Sequence, residues 1–379
     1  MSRTIIDINI LQTVPPSNLN RDDTGSPKTA VYGGVRRHRV SSQAWKRATR
    51  KDFESRLDKS ELGTRTKRIV ELLAARITAK DESVSAERAE ELAKLAFTSA
   101  GFKLSAPRRA TKENPLPDES GYLLFLSARQ IDRLADASLA ANASDDPVAA
   151  LKAAGLKKSL DTEHSVDLAL FGRMVADASD LNVDAAAQVA HAISVHAAET
   201  EFDYFTAVDD HKDADEEEDA GAGMIGTVEF TSSTLYRYAT VDANRLQDNL
   251  GDAGATRRAV EAFVQSFSRS LPSGKQNTFA NRTLPDAIVI SVRDSQPVNL
   301  VGAFEEAVKA EPRLATASAR LAEHAAEVDE AYGTAPVKTW VVRATPGAAA
   351  LDGLGERVSL DEAVARLGEV VAERLQAQP

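Results

Sequence analysis

Segments with a period of two and segments with a period near 3.6 alternate along this chain, but without the strict strand–helix–strand cadence of a doubly wound sheet. That irregular alternation points to an α+β fold. Residues 4–11 are rich in β-branched side chains and stop short of Pro15-Pro16, so they read as the first strand. Ser41 and Ser42 then cap a helix reaching about residue 57. Residues 64–98 hold two amphipathic helices broken at 80–83, and Ser127-x-x-Gln130 is a capping box that opens another. Residues 166–171 alternate like a strand ending at Gly172-Arg173-Met174, and 185–199 read as helix. Residues 203–226 break every period, being acidic and closing on Gly221, Gly223 and Gly226, which predicts an excursion from the core. Beyond it, strands are expected at 227–241, 287–292 and 337–343, and helices at 257–270, 298–308 and 313–332. Ser359-x-x-Glu362 caps a last helix. No internal repeat or low-complexity linker separates independent domains.

With 379 residues, 43% of them hydrophobic, the chain is long enough for a sizeable core and too apolar for wholesale disorder. It contains no cysteine, which excludes disulfide scaffolds, thiolate zinc sites, iron–sulfur ligation and a cysteine nucleophile. No run approaches the roughly 18 apolar residues of a membrane span, and the start lacks a signal-peptide pattern. A cytoplasmic protein without a membrane partner is expected.

Charge is segregated. Residues 24–51 carry eight basic side chains and no acid, which leaves −19 for the rest of a chain whose net charge is −11. Residues 209–219 reverse the sign, with eight acids against Lys212 alone. A chain with this acidic balance can still hold a polyanion where one face is locally basic. Consecutive acids lack the alternation of a calcium loop, so the acidic run reads as a solvated flap.

Catalytic motifs are mostly missing. His191 and His196 stand five residues apart on the expected helix, roughly 140° around its axis, too far apart to share a metal. His38 lies inside the basic run, while His164, His211 and His324 lack partners at ligand spacing. Gly274-Lys275-Gln276 fails as a phosphate loop: no Ser or Thr follows the lysine, and Arg269 stands where the first glycine belongs. Neither Gly-x-Ser-x-Gly nor Gly-x-Gly-x-x-Gly occurs. Asp22-Asp23 could bind a divalent ion beside a phosphodiester, or orient neighbouring arginines through charge-assisted hydrogen bonds, the commoner use. No cofactor or metal is called for.

The informative region is residues 20–51. Arg21, Lys28, Arg36, Arg37 and Arg39 fall on loop or extended backbone, where they can line a groove. On the helix that follows, Lys46 and Arg50, and Arg47 and Lys51, are i,i+4 neighbours on one face roughly 140° wide. Like charges at that spacing repel, so the stripe needs solvent or an anion. Ser41-Ser42-Gln43 adds hydroxyls and open backbone N–H groups where a phosphate would sit. Phe202, Tyr204 and Phe205, with Met174, supply apolar side chains of the kind that stack on or wedge between bases. Cations that track phosphates plus apolar platforms suit a single-stranded nucleic acid.

These residues resemble a family. The run Asn20-Arg21-Asp22-Asp23, then Gly33-Gly34-x-Arg36-Arg37-x-Arg39-x-Ser41-Ser42-Gln43-x-x-Lys46-Arg47-Ala48, is similar to the repeated backbone subunit of the type I-E CRISPR surveillance complex Cascade, the CasC family. Gly172-Arg173-Met174, Ala190-His191-Ala192-Ile193, Phe205-Thr206-Ala207-Val208-Asp209-Asp210, Tyr236-Arg237-Tyr238-Ala239 and Gly274-Lys275-Gln276 fit in the same order. Together with further short matches they cover roughly residues 1–310; residues 60–160 and the C-terminal stretch match only loosely.

The resemblance implies a right-hand-shaped subunit without catalytic activity. Its palm would be a modified RNA-recognition-motif (ferredoxin-like) fold over 1–57, 161–200 and 227–379. Its fingers would be a helical insertion over 58–160, and its thumb a β-hairpin over 201–226. Implied partners are crRNA, further copies stacked head to tail, other Cascade subunits, and target DNA through guide pairing. By motif match Arg21, Lys28, Ser41, Gln43, Lys46, Arg47, Arg50 and Lys51 would hold guide phosphates. Arg173, Met174, Tyr204, Phe205, Thr206, Val208 and Ile225 would be wedge and thumb contacts. Tyr204 stands where the family has Trp, and the tip at 213–219 is expected to face away from the phosphate backbone because it is acidic. The alternatives are a metal-dependent ribonuclease using Asp22 or Asp23, and an acidic scaffold whose basic helix binds an acidic protein.

Overall fold

The computed structural model describes residues 3–175, 179–207 and 224–376. They divide into two compact units. One is formed by Met1–Asp52, Gln188–Asp242 and Val260–Pro379, the other by Phe53–Ala187 and Ala243–Ala259. The class is α+β. Residues 161–187, expected with the palm strands, belong to the second unit.

The first unit is built on one sheet. Its strands are β1 (Ile5–Ser17), β2 (Thr29–Tyr32), β3 (Val35–Val40), β4 (Ala192–Ser194), β5 (Glu201–Ala207), β6 (Met224–Asp242), β7 (Ala287–Arg293), β8 (Lys338–Arg343) and β9 (Glu356–Arg357). Their order is β9-β8-β7-β1-β6-β4-β3-β2, with β5 and a further short strand, Ala187–Val189, paired to β6. Only β8 and β9 run parallel among the pairs that β1 to β9 form with one another. Central β1 is buried on both faces from Ile5 to Gln12, with Asp7, Asn9 and Gln12 buried among the apolar side chains. It does not stop at Pro15-Pro16 but continues to Ser17, and the β1–β6 ladder shifts register between Val14 and Ser17. Proline has no N–H to give the ladder, so a bulge is where two of them fit.

On one face of the sheet, Asp7 and Asn9 receive the hydroxyls of Tyr238 and Tyr236, each at 2.7 Å. Asp7 also accepts from Arg293 Nε and the Val298 N–H, both at 3.0 Å. Burial, the largest effect on it, raises the Asp7 carboxyl above the usual range. The Arg313–Tyr332 helix covers this face with Ala317, Leu321 and Ala325. The opposite face carries Ile10 and, paired with it, Arg237.

The second unit packs the helices Ile69–Lys80, Ala86–Ser99 and Ala128–Asn142 around Leu73, Ile77, Leu92, Phe97 and Leu134. The capping box is present: Gln130 N–H donates to Ser127 Oγ and Ser127 N–H to Gln130 Oε1, each at 3.0 Å.

Three expectations are corrected. Val166–Phe171 is a helix, not a strand; Val166 to Leu170 are all buried, so no exposed face marks the period. The Ala-rich stretch 185–199 is not helical, because Ile193 pairs with both Arg39 of β3 and Tyr236 of β6, and tertiary pairing overrides alanine's helix propensity. Residues 298–308 contain only a 3₁₀ turn, Leu300–Phe304. The thumb segment carries paired strands up to Ala207 and from Met224; the acidic run between them lies outside the described residues.

Candidate nucleic-acid interface

The loop before β2 is tied down by its own side chains. Asp22 Oδ1 accepts from the Thr24 N–H at 2.9 Å, the Thr24 hydroxyl at 2.7 Å and the Ser26 N–H at 3.0 Å. The Thr24 hydroxyl is the first cause that holds the Asp22 carboxyl below the usual range. The expectation that this acid orients arginines is therefore corrected: it folds the loop. Asn18 Nδ2 donates to Gly25 O and to Glu229 O, both at 3.0 Å, fixing the loop to β6. Lys28 N–H returns to Asn20 O at 2.9 Å, and Arg39 N–H donates to Lys28 O at 2.8 Å.

Within β3, adjacent arginines have opposite fates. Arg36 is exposed and Arg37 is fully buried. Arg37 donates to Tyr32 O at 3.1 Å, Ser194 O at 2.9 Å, Phe304 O at 2.9 Å and Glu305 O at 3.1 Å. It does not line a groove; it holds the β2–β3 hairpin to β4 and to the turn at 300–305. The hairpin reaches that turn at Gly33, whose φ is +58° and where a Cβ would stand 1.6 Å from Glu305 O.

His38 is buried beside Arg37, with Nδ1 2.8 Å from Ser233 Oγ. Burial, and after it the neighbouring His196, pushes its imidazole down to about 4. A buried neutral histidine contributes stability that is fully present above its unfolded value near 6.5 and is lost as pH falls toward 4. Between those values the unfolded chain binds a proton that the folded chain refuses, so His38 should cost about 3 kcal/mol by pH 4. Urea midpoints measured from about pH 7 to 5 check this, and His38→Gln should remove about one proton from the linkage.

Helix α1 (Ser42–Phe53) follows. Trp45, Thr49 and Phe53 are all 0% exposed and lie i, i+4, i+8 apart, so they form the inner face. Lys46, Arg47, Arg50 and Lys51 are centred roughly 170° around the axis from Trp45. Gln43, Arg47 and Lys51 are exposed, Lys46 and Arg50 half-buried, and burial draws the Lys46 ammonium below its ordinary value. Among the described residues, Arg21, Lys28, Arg36, Arg47 and Lys51 have no carboxylate within ion-pair distance.

The start of α1 differs from the expectation of open N–H groups. Ser41 is buried; its N–H donates to Asn20 Oδ1 at 2.9 Å, and its Oγ accepts from the Ala44 N–H at 3.3 Å. The Ser42 N–H donates to His191 Nδ1 at 3.3 Å, and Arg39 Nη1 lies 3.2 Å from the same nitrogen. His191, far from a helical metal pair, completes the cap of α1; burial first, then Arg39 and Lys28, lowers its imidazole. Only its match to the Ala-His-Ala-Ile motif marked it in the sequence.

On the β5–β6 hairpin Phe202 and Tyr204 are 67% and 63% exposed, and Phe205 is 38% exposed. Phe205 pairs with Gly226, where a Cβ would lie 2.4 Å from the Phe205 Cζ, so the ring crosses the glycine. Thr206 pairs with Ile225 on the ladder, and Val208 lies outside the described residues.

In the second unit Met174 is 84% exposed. Arg173 is not available to a ligand: it is buried, donating to Leu181 O at 2.7 Å, Leu160 O at 2.9 Å and Phe125 O at 3.3 Å. Burial pulls its guanidinium down to about 10. Its assignment as a contact residue is corrected to a structural one. Among the described residues no helix is long and apolar enough to cross a membrane.

Two solved structures contain similar chains. One, from a "CRISPR RNA-guided surveillance complex, pre-nicking", is 35% identical; the match covers 96% of this chain and 100% of that one, with a TM-score of 0.81. Another, from a "CRISPR RNA-guided surveillance complex", is 32% identical over 96% of this chain and 99% of that one, with a TM-score of 0.70. None of the curated proteins matches the sequence. Likeness over nearly the whole length places the chain in the class of CRISPR-associated proteins. It belongs to the family of CT1975-like proteins, whose model matches residues 6–366. The resemblance carried by the sequence motifs is borne out at this level.

Proposed function

We propose that this chain is the repeated backbone subunit of a type I-E Cascade, binding crRNA without cutting it. The observation that carries the proposal is the outer face of α1. A stripe of four cations stands opposite a buried Trp45 face, and Arg47 and Lys51, with Arg21, Lys28 and Arg36 nearby in sequence, meet no carboxylate among the described residues. Cations such as these five, left without a carboxylate among the described residues, are suited to a polyanion. In this proposal the sheet of the first unit is a modified RNA-recognition-motif palm, 58–160 are the fingers and 201–226 the thumb. Copies stack head to tail, a heterologous contact that propagates as an open filament. The cations neutralise guide phosphates, the thumb aromatics and Met174 splay the bases into short segments, and pairing with target DNA supplies the sequence specificity.

The test is purification of the assembled complex. RNA should co-purify, and incubation with complementary RNA and Mg²⁺ or Mn²⁺ should leave that RNA intact. Cleavage that Asp23→Asn abolishes would establish the ribonuclease instead. Purification free of nucleic acid, with an acidic protein bound, would favour the scaffold.

A further inference from the structure

Arg237 is a buried cation with no counter-ion among the described residues. It lies on β6 opposite Ile10 of β1 and is 1% exposed. Nη1 donates to Gln12 Oε1 at 2.6 Å, Nη2 donates to Phe267 O, and Nε meets no acceptor among the described residues. Among the described residues no carboxylate lies within ion-pair distance of it. Two aromatic faces stand in place of an acid. Its Cζ is 3.7 Å from the centroid of the Trp45 ring and 4.6 Å from that of Phe267.

Filling this space with charge is costly unless the charge does something an apolar side chain cannot. What a guanidinium adds over leucine or methionine is direction: it attracts the face of an indole and holds the ring parallel to itself. Trp45 is the inner-face residue of α1, with Phe267 packed edge-on at 6.4 Å and 70°. The first turn of α1 is fixed by Asn20 and His191, as described above; Trp45 fixes the next turn, directly beneath the cation stripe. We infer that Arg237 is a positioning residue of the RNA site: stacked on Trp45, it sets the height and rotation of α1, so that Lys46, Arg47, Arg50 and Lys51 meet successive phosphates. The inference rests on the RNA-binding proposal and adds a residue that never touches the RNA.

The test uses the full chain and a short uridine-rich single-stranded RNA, with Trp340→Phe as background so that Trp45 is the one indole reporting. Arg237→Lys keeps a cation over the ring, and Arg237→Met keeps the bulk alone. Arg237→Met should unfold as one cooperative transition, yet bind RNA roughly tenfold more weakly, with a salt slope shallower by about 0.7 or more. Arg237→Lys should stay within about threefold of wild type. RNA should change Trp45 emission in wild type and in Arg237→Lys, but not in Arg237→Met. The inference is overturned if folded Arg237→Met binds with wild-type affinity and slope, or if Lys and Met weaken binding equally. Should Arg237→Met fail to fold, Trp45→Leu takes its place: weakened binding with a shallower slope supports the inference, and wild-type binding overturns it. Arg47→Glu/Lys51→Glu separates the two levels. If this surface variant also binds normally, the RNA-binding proposal has failed rather than the positioning role.

Discussion

Replacing Arg37 with methionine lowers the unfolding free energy by about 3–5 kcal/mol, because it takes the donors away from four main-chain carbonyls, two of them in buried hydrogen bonds. The guanidinium serves Tyr32, Ser194, Phe304 and Glu305 from one planar fork, and the side chain is 0% exposed. Methionine fills most of the volume, so the loss reports the orphaned acceptors rather than a cavity. Urea unfolding near pH 7 measures the effect, with Arg36→Met as the control. Arg36 is exposed in the same strand, so its replacement should stay within about 0.5 kcal/mol. A loss below about 1 kcal/mol for Arg37→Met would mean that the four hydrogen bonds are not what anchors the hairpin.

The second large effect is on binding. Arg47→Glu/Lys51→Glu reverses two exposed charges that have no ion-pair partner among the described residues, so stability should change little. Affinity for single-stranded RNA at about 0.15 M salt should fall at least about a hundredfold, since two phosphate contacts are lost and two repulsions gained. The same reversal at Arg173 would be meaningless as a binding test, because that guanidinium is committed to Leu160, Leu181 and Phe125 and the variant would unfold the second unit first.

Sequence and structure agree where one physical signal dominates. The α1 stripe was legible because i,i+4 spacing fixes a helical face whatever the surroundings, and the Ser127–Gln130 box because the cap chemistry is local. Arg37 and Arg173 were not legible. A buried arginine bonded to main-chain carbonyls is spelled the same way as one that grips a phosphate, and only the fold supplies the carbonyls. In β3 even the strand period misleads, since adjacent Arg37 and His38 are both buried. The stretch 185–199 failed for a related reason: its alanines favour a helix, but the edges of β3 and β6 need a partner, and Ile193 supplies it to both. His191 acquires its role only from that placement, against the Ser42 N–H.

The salt dependence of single-stranded RNA binding counts phosphates more directly than any affinity does. If the outward face of α1 grips the sugar–phosphate chain, log K should fall with log salt at a slope of about −2.8 or steeper, for four contacts at 0.7 each. The Arg47→Glu/Lys51→Glu chain should lose about 1.4 of that slope. A nearly flat dependence in the wild type, or equal slopes in the two chains, would place the ligand elsewhere and contradict the account.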